Sequence, residues 1–364
     1  MVEDEKEIFM KRKKFLARHK TEPGLISDIR QLIESARVRV AAAVNLELTM
    51  LYWRIGKRIR QDVLRGKRAE YGQEIVVALS RQLTVDYGNS FSEKNLRRMV
   101  QFTEVFADEK IVVSLIRQLT WTHFIALIPL KDPLERDFYS EMCRIEHWSV
   151  RTLRAKIDSM LFERTALSKK PEKLARLELV KLRDEDKLTP DLVFRDPYFL
   201  DFLGLKGAYQ EKDLEEAILR ELEKFIMELG ACFSFIERQK RVIIDGEDFY
   251  LDLLFYHRNL RRLVAIELKL GKFKAGYKGQ MELYLRWLDK YDRHPGEEHP
   301  LGLILCAGKS EEQIALLELS KSGIRVAQYL TQLPPRKILE EKLHQAMRLA
   351  KIRLGQIKML GSDK

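Results

Sequence analysis

The spacing of apolar residues changes along the 364-residue chain, and this change limits the fold to helices first and a sheet later. From Ile29 to Val63 apolar residues recur every three or four positions, the period of one helix face. Similar stripes continue to about residue 165, and another helix is expected over 214–229. Beyond residue 230 the period falls to two and β-forming residues predominate. The sequence therefore predicts an α+β protein whose N-terminal domain is all-α.

A hairpin opens the predicted sheet. Asp245-Gly246 separates two β-rich runs, 233–244 and 247–257, and this dipeptide favours a two-residue hairpin turn. A third strand is predicted over 262–270, after a connection of four residues. The sequence then predicts a helix over 276–291, a strand over 301–306, a helix over 311–320 and a strand over 324–329.

Shifts in composition divide the chain into segments. We expect a basic N-terminal segment over 1–25, a helical domain over 26–165, a linker that is helical in part over 166–200, a mixed-sheet domain over 201–335 and a basic amphipathic helix over 336–364. The formal charge is +11, and residues 336–364 alone carry 8 basic and 3 acidic side chains. Basic flanks attract polyanions such as nucleic acid. A high isoelectric point that serves solubility alone explains the charge equally well.

Several classes of protein are excluded by composition. The 3 cysteines lie far apart, so neither a disulfide framework nor a cysteine-built zinc site is expected. No apolar run reaches membrane-spanning length, and the first 20 residues do not resemble a secretory signal. We therefore expect a cytoplasmic protein without a membrane partner.

Charged residues interrupt two apolar strands. Glu267 and Lys269 lie in the third strand and project from one face, because side chains alternate along a strand. Asp252 interrupts the second strand in the same way. If Arg258–Arg261 forms a four-residue loop, His257 pairs with Arg262, and counting back places Asp252 opposite Glu267. Directly opposed residues have Cβ atoms only about 4.5–5.5 Å apart, so the two acids would repel unless a cation lay between them.

This pattern predicts a metal site. Carboxylate oxygens suit Mg²⁺, with Mn²⁺ as a substitute, and the main-chain carbonyl of Leu268 could supply a further ligand. Lys269 could hold or deprotonate a water at such a site, which is the outline of phosphodiester hydrolysis. The alternative is a solvent-facing edge on which Glu267 pairs with Lys269 and Asp252 has no role.

Three stretches carry a resemblance to a known family: residues 247–257, 263–269 and 279–285 resemble the YhcG-type branch of the PD-(D/E)xK nuclease superfamily. Residues 51–56, 91–99 and 121–124 are similar to the N-terminal helical domain of that branch. The resemblance implies a restriction endonuclease-like αβββαβ core, Mg²⁺-dependent DNA cleavage and a DNA-binding helical module. It matches the catalytic pattern at Asp252, Glu267 and Lys269, although Leu251 stands where the family motif has proline.

The same resemblance suggests further site residues. The superfamily often adds a glutamate from the first core helix, for which Glu215 is preferred over Glu216 because it lies beside the apolar row. Gln280 resembles the superfamily's polar residue near the scissile phosphate, and Gln239 on the first strand could also face the site. An ordinary solvated surface is the alternative for each of them.

The helix that begins near Glu93 is a candidate DNA reader. Its polar side offers donors for base edges and phosphates at Asn95, Arg97, Arg98 and Gln101. A solvated basic face is the competing interpretation. Together the patterns predict a metal-dependent DNA endonuclease, with a catalytically silent DNA-binding or assembly protein as the alternative. A homodimer is plausible, because cutting both strands usually needs two sites; the form of the nucleic-acid substrate stays open.

Overall fold

The computed structural model describes residues 23–65, 69–205, 207–230 and 232–361. Residues 1–22 of the predicted basic segment therefore lie outside the described residues. The chain forms two compact units, one up to Ile128 and one from Pro129 onward. None of the described helices combines the length and the apolar character that crossing a bilayer requires.

The described residues of the first unit form helices and their connections, without a strand. Its helices are α1 (Pro23–Arg65), α2 (Ala69–Tyr87), α3 (Glu93–Val105), α4 (Glu109–Leu115) and α5 (Trp121–Leu127). Helix α1 packs against α3, and Gly56 permits the close approach, since a Cβ there would lie 1.9 Å from the carbonyl oxygen of Met99. The indole of buried Trp53 donates a hydrogen bond of 2.8 Å to the carbonyl of Phe106. Helix α3 is thereby fixed along its apolar side, and its polar side is left to solvent.

The second unit begins with helices. These are α6 (Pro133–Glu146), α7 (Val150–Asp158), α8 (Leu161–Arg164), α9 (Glu172–Glu185) and α10 (Pro190–Val193). Residues 166–200, predicted to be a linker, hold α9, α10 and strand β1 (Tyr198–Phe199). Helix α9 packs on α6, where Arg183 donates to the fully buried Glu141 at 2.6 Å. Several charges of this segment form ion pairs, among them Lys169 with Asp196 and Lys170 with Asp191.

The sheet follows the predicted order of elements. Helices α11 (Glu211–Arg220) and α12 (Leu222–Leu229) precede β2 (Phe233–Ile244), β3 (Glu247–His257), β4 (Arg262–Lys272), α13 (Gly276–Tyr291), β5 (Leu301–Gly308), α14 (Glu311–Leu316), β6 (Ile324–Leu330) and α15 (Arg336–Gly361). The sheet order is β1-β6-β5-β4-β3-β2. Strands β2, β3 and β4 are antiparallel, and β4, β5, β6 and β1 are parallel. The predicted α+β class, with a helical N-terminal region before a mixed-sheet αβββαβ core, is confirmed.

The hairpin register is set by its turn. Asp245 and Gly246 both have positive φ, 51° and 84°, as a two-residue turn requires. His257 pairs with Arg262, which confirms the register predicted from the four-residue loop.

Helices cover both faces of the sheet. On one face α13 approaches β5 closely, because Gly302 has no side chain; a Cβ there would lie 2.6 Å from Met281. On the other face Phe225 of α12 meets Phe255 of β3. The end of β4 is therefore held between α11 and α13.

Two predicted helices have other bounds in the structure. The helix predicted over 214–229 breaks at Glu221 into α11 and α12. The helix predicted over 311–320 ends at Leu316 and is followed by a short 3₁₀ turn.

Candidate active site

Asp252 and Glu267 meet where β3 and β4 separate. The last paired residues of the two strands are Leu253 and Ile266. Asp252 precedes Leu253 in β3 and Glu267 follows Ile266 in β4, so the two acids lie just beyond the last pair. The backbone N–H of Leu268 donates to Asp252 Oδ2 at 2.8 Å, and that of Asp252 donates to Glu267 Oε1 at 3.4 Å. Each predicted acid thus accepts a hydrogen bond from a backbone N–H of the strand that carries the other acid, and the two side chains lie together.

Lys269 lies beside Glu267 on the same face of β4. Its Nζ is 2.9 Å from Glu267 Oε2 and 3.8 Å from Glu211 Oε2. The side chains of Glu267 and Lys269 are only 4% and 13% exposed, so this pair is not the solvent-facing edge of the alternative interpretation. Burial of this kind is costly for charged groups and needs a compensating partner.

The two acids are poorly compensated by the protein alone. Burial, together with the negative charge of Asp252, raises the pKa of Glu267 to about 7, although Lys269 opposes this. Burial also raises the pKa of Asp252. Burial by itself would lower the pKa of Lys269, but the charge and hydrogen bond of Glu267 and the charges of Asp252 and Glu211 together outweigh it, so the net pKa is raised. A further positive charge at the two carboxylates would relieve this imbalance.

The donor set suits a small hard cation. Mg²⁺ is usually held by one or two carboxylates and keeps several waters, which matches two acids with oxygen ligands only. Across the described ranges of the chain, no three His, Cys, Asp or Glu side chains are grouped to form a larger metal cage. Leu268 buries its side chain, and its N–H is directed to Asp252; its carbonyl as a ligand stays a prediction.

Glu215 reaches the site from α11 through Gln239. The Gln239 amide donates to Glu215 Oε2 at 2.7 Å and to Asp252 Oδ1 at 3.2 Å. These three residues line a cavity of about 410 Å³. Glu216 is more exposed and lies 3.9 Å from Lys212. Of the two glutamates considered on this helix, the structure connects Glu215 to the acids.

Gln280 and Tyr284 share one face of α13. The Gln280 amide donates to the Tyr284 hydroxyl at 2.9 Å, and that hydroxyl donates to the Tyr250 carbonyl at 3.1 Å. Burial raises the pKa of Tyr284, and the charges of Glu267 and Asp252 raise it further. The structure therefore joins Gln280 through Tyr284 to β3, two residues before Asp252.

Sequence reasoning did not single out Glu211 or Tyr284. Tyr284 could have been found, since it lies four residues after Gln280 and so shares its helix face. Glu211 lies four residues before Glu215 but outside the helix predicted over 214–229, so it was not considered; in the structure its carboxylate accepts from the Leu270 N–H at 3.3 Å.

The candidate DNA-reading residues lie in the other unit, on the polar side of α3. Arg97 donates to Glu93 at 2.7 Å, and Asn95 donates to the Ser90 carbonyl at 3.3 Å. Arg98 donates to Asn95 at 3.4 Å, and Gln101 is exposed. Asn95, Arg97 and Arg98 are half-buried, and the role of these four residues in reading DNA stays a prediction.

Comparisons with known proteins agree with this geometry. Residues 28–164 match the family model described as the DUF1016 N-terminal domain, and residues 191–345 match that of the YhcG PDDEXK nuclease domain. The chain is 35% identical over 344 residues to "Putative nuclease YhcG" of Escherichia coli (strain K12), covering 86% of this chain and 91% of that protein.

Solved structures match a smaller part of this chain. A repair endonuclease from Pyrococcus abyssi is 25% identical with a TM-score of 0.25, over 36% of this chain and 50% of that one. The EndoMS–dsDNA2 complex is 19% identical with a TM-score of 0.26, over 36% and 49%. The match thus spans about half the length of each of these structures.

Proposed function

Because the chain belongs to the YhcG family of PD-(D/E)xK nucleases, we propose that it is a metal-dependent endonuclease that hydrolyses DNA phosphodiester bonds. The observation that carries this proposal is the buried group formed by Asp252, Glu267 and Lys269. Two carboxylates whose pKa values are raised stand together beside one ammonium group, in a position reached from an open cavity.

The residues that would hold the cation are Asp252, Glu267 and the main-chain carbonyl of Leu268. Mg²⁺ is the proposed cofactor, and Mn²⁺ is expected to substitute for it. When bound, such an ion supplies positive charge for a phosphate oxygen and lowers the pKa of a water molecule. The binding residues are pre-organised, since Asp252 is already fixed by the Leu268 N–H.

Lys269 acts in this proposal as a fixed hydrogen-bond donor. The ammonium would orient an attacking water or a phosphate oxygen. The contact of 2.9 Å between Lys269 Nζ and Glu267 Oε2 fixes the ammonium beside the proposed metal ligand.

Glu215 and Gln280 are assigned supporting roles. Glu215 extends the acidic site toward α11, and Gln280, held through Tyr284, is placed to contact the strand near the scissile phosphate. Both roles depend on a substrate entering the cavity above Asp252.

The first unit is proposed to bind the DNA partner through α3. Arg97 and Arg98 would contact phosphates, and Asn95 and Gln101 would reach phosphates or base edges. A homodimer would supply a second site for cutting both strands of a duplex.

A cleavage assay tests the proposal. The full chain is incubated with labelled duplex, branched and single-stranded DNA and with RNA, with and without Mg²⁺, beside Lys269→Met. We expect Mg²⁺-dependent cleavage of at least one DNA by the wild type and about 100-fold less by the variant, the scale of one positioned proton donor. Arg286→Met on the outer part of α13 serves as the control for loss of one cation and should cleave normally.

Two results would contradict the proposal. Wild-type protein that binds DNA but cleaves none of the substrates would favour the catalytically silent alternative. Equal cleavage by the wild type and Lys269→Met would show that the cleavage activity does not depend on this site.

A further inference from the structure

Gln239 has a backbone conformation that is unusual for its place in the fold. Its φ is 47°, in the left-handed region that residues other than glycine, asparagine and aspartate seldom adopt. In the described part of the chain seven non-glycine residues have positive φ. Six lie in turns or at helix ends: His147, Met160, Asp186, Asp245, Arg261 and Glu318. Gln239 is the remaining one, and it lies within strand β2.

The pairing of β2 with β3 places Gln239 across from Asp252. Arg238 pairs with Leu253 and Lys240 with Leu251, so the residues between them face each other across the two strands. The left-handed residue interrupts the regular pleat there. The direction of its side chain is therefore set by this local irregularity and not by strand alternation alone.

The side-chain amide of Gln239 donates two hydrogen bonds to acids of the site. Its Nε2 is 2.7 Å from Glu215 Oε2 and 3.2 Å from Asp252 Oδ1. Glu215 comes from α11 and Asp252 from β3, so a single amide joins acids on two separate elements. A side chain with one donor, or a shorter one, could not make both bonds at this position.

Strained backbone persists where the surrounding structure requires it, and such residues cluster at functional sites. No packing requirement explains this one, since Gln239 is exposed and lines the same cavity as Glu215 and Asp252. Glycine would adopt the same φ without strain, so fold stability alone would favour glycine here.

We propose that Gln239 is a positioning residue of the nuclease site, whose left-handed backbone holds its amide between Glu215 and Asp252 and so fixes Asp252 as a metal ligand and Glu215 beside it. This inference rests on the proposed function. Residues that orient metal ligands typically change metal affinity or activity by about 10–100-fold when they are replaced.

Three variants of the full chain test the inference: Gln239→Gly, Gln239→Met and the control Asp245→Gly. Gln239→Gly removes the amide and the strain together, whereas Gln239→Met keeps the length of the side chain but has no donor. Asp245→Gly changes another left-handed residue of the same hairpin, at its turn and away from the acids. Each variant is measured for Mn²⁺ affinity by calorimetry without nucleic acid, for Mg²⁺-dependent cleavage and for thermal unfolding.

Gln239→Gly should bind Mn²⁺ and cleave about 10–100-fold more weakly while its Tm is unchanged or raised by about 2 °C. Gln239→Met should show the same functional loss, and the control should retain wild-type affinity and cleavage. A merely structural glutamine would instead lower the Tm on replacement by glycine.

Wild-type Mn²⁺ affinity and cleavage in both Gln239 variants would overturn the positioning role and leave the nuclease proposal intact. A wild type that neither binds Mn²⁺ nor cleaves would overturn both. If Gln239→Gly fails to fold, strain relief is refuted, and Gln239→Met alone decides the role of the amide.

Discussion

The acids of β3 and β4 and the basic face of α3 carry charge in opposite surroundings. Glu267 is 3% exposed and its pKa is raised, because burial and a like charge disfavour ionisation. The side chain of Arg97 is 42% exposed and pairs with Glu93 on the adjacent turn, an arrangement that contributes little to stability. A buried charge without an opposite charge beside it lowers the stability of the fold, so its presence indicates that a ligand binds there. An exposed charge changes the stability little, so it indicates a binding partner only when many such charges act together.

This contrast predicts large single-residue effects at the acids. Glu267→Gln should lower Mg²⁺-dependent cleavage by about 1000-fold, since the charge stabilisation supplied at such a site is several kcal/mol. The same change relieves the repulsion with Asp252 but removes the carboxylate partner of Lys269, so the Tm without metal should change little. Steady-state cleavage rates and thermal unfolding measure the two effects.

The matched control for this change is Glu216→Gln on the exposed side of α11. It removes one carboxylate near the cavity without touching the buried group, and it should cleave like the wild type. Equal losses in both variants would mean that general charge near the cavity matters, not burial.

A buried titratable group far from the acids should affect the stability of the fold and not the cleavage rate. His257 lies fully buried at the far end of β3, where burial lowers its pKa to about 4. The unfolded chain takes up this proton near pH 6.5, so the native state should lose stability as the pH falls from about 6.5 toward 4. The loss reaches about 3 kcal/mol at the lower limit, and none is expected above pH 6.5.

Urea unfolding at pH 7 and pH 5 measures this dependence in the wild type and in His257→Gln. The glutamine carbonyl can still accept from the Leu260 N–H, which donates to His257 Nδ1 at 3.1 Å. The variant should show a smaller difference between the two pH values. An identical difference would assign the acid sensitivity to other groups.

The smallest effects are expected on α3. Replacing Arg97 and Arg98 together by alanine should weaken DNA binding by about tenfold and reduce the magnitude of the salt slope by about 2, one for each phosphate contact. Cleavage at saturating DNA should not change. Arg58→Ala is the control, because Arg58 of α1 forms the same kind of exposed ion pair, with Asp62. Equal salt slopes in the control and the double variant would remove α3 from the DNA interface.

Local patterns in the sequence predicted the part of the fold that places the acids. The Asp245-Gly246 turn and the four-residue loop before β4 each fix a register, and these two registers align β2, β3 and β4. The facing of Asp252 and Glu267 follows from counting residues, because alternation and pairing are local properties of strands.

Features that depend on distant contacts escaped prediction. The partners of Lys169 and Lys170 were not predicted: Lys169 pairs with Asp196 at 2.7 Å and Lys170 pairs with Asp191. Charged residues have the same composition whether they are paired or solvated, so sequence alone does not separate the two cases. The break at Glu221 and the left-handed conformation of Gln239 likewise have no local signal.

Calorimetric titration of the full chain with Mn²⁺ tests the central claim most directly, comparing wild type with the double variant Asp252→Asn and Glu267→Gln. The account predicts one bound ion per wild-type chain and an affinity at least tenfold lower in the double variant, whose side chains keep their shape but lose both charges. Equal stoichiometry and affinity in the two proteins would show that these acids do not hold the metal.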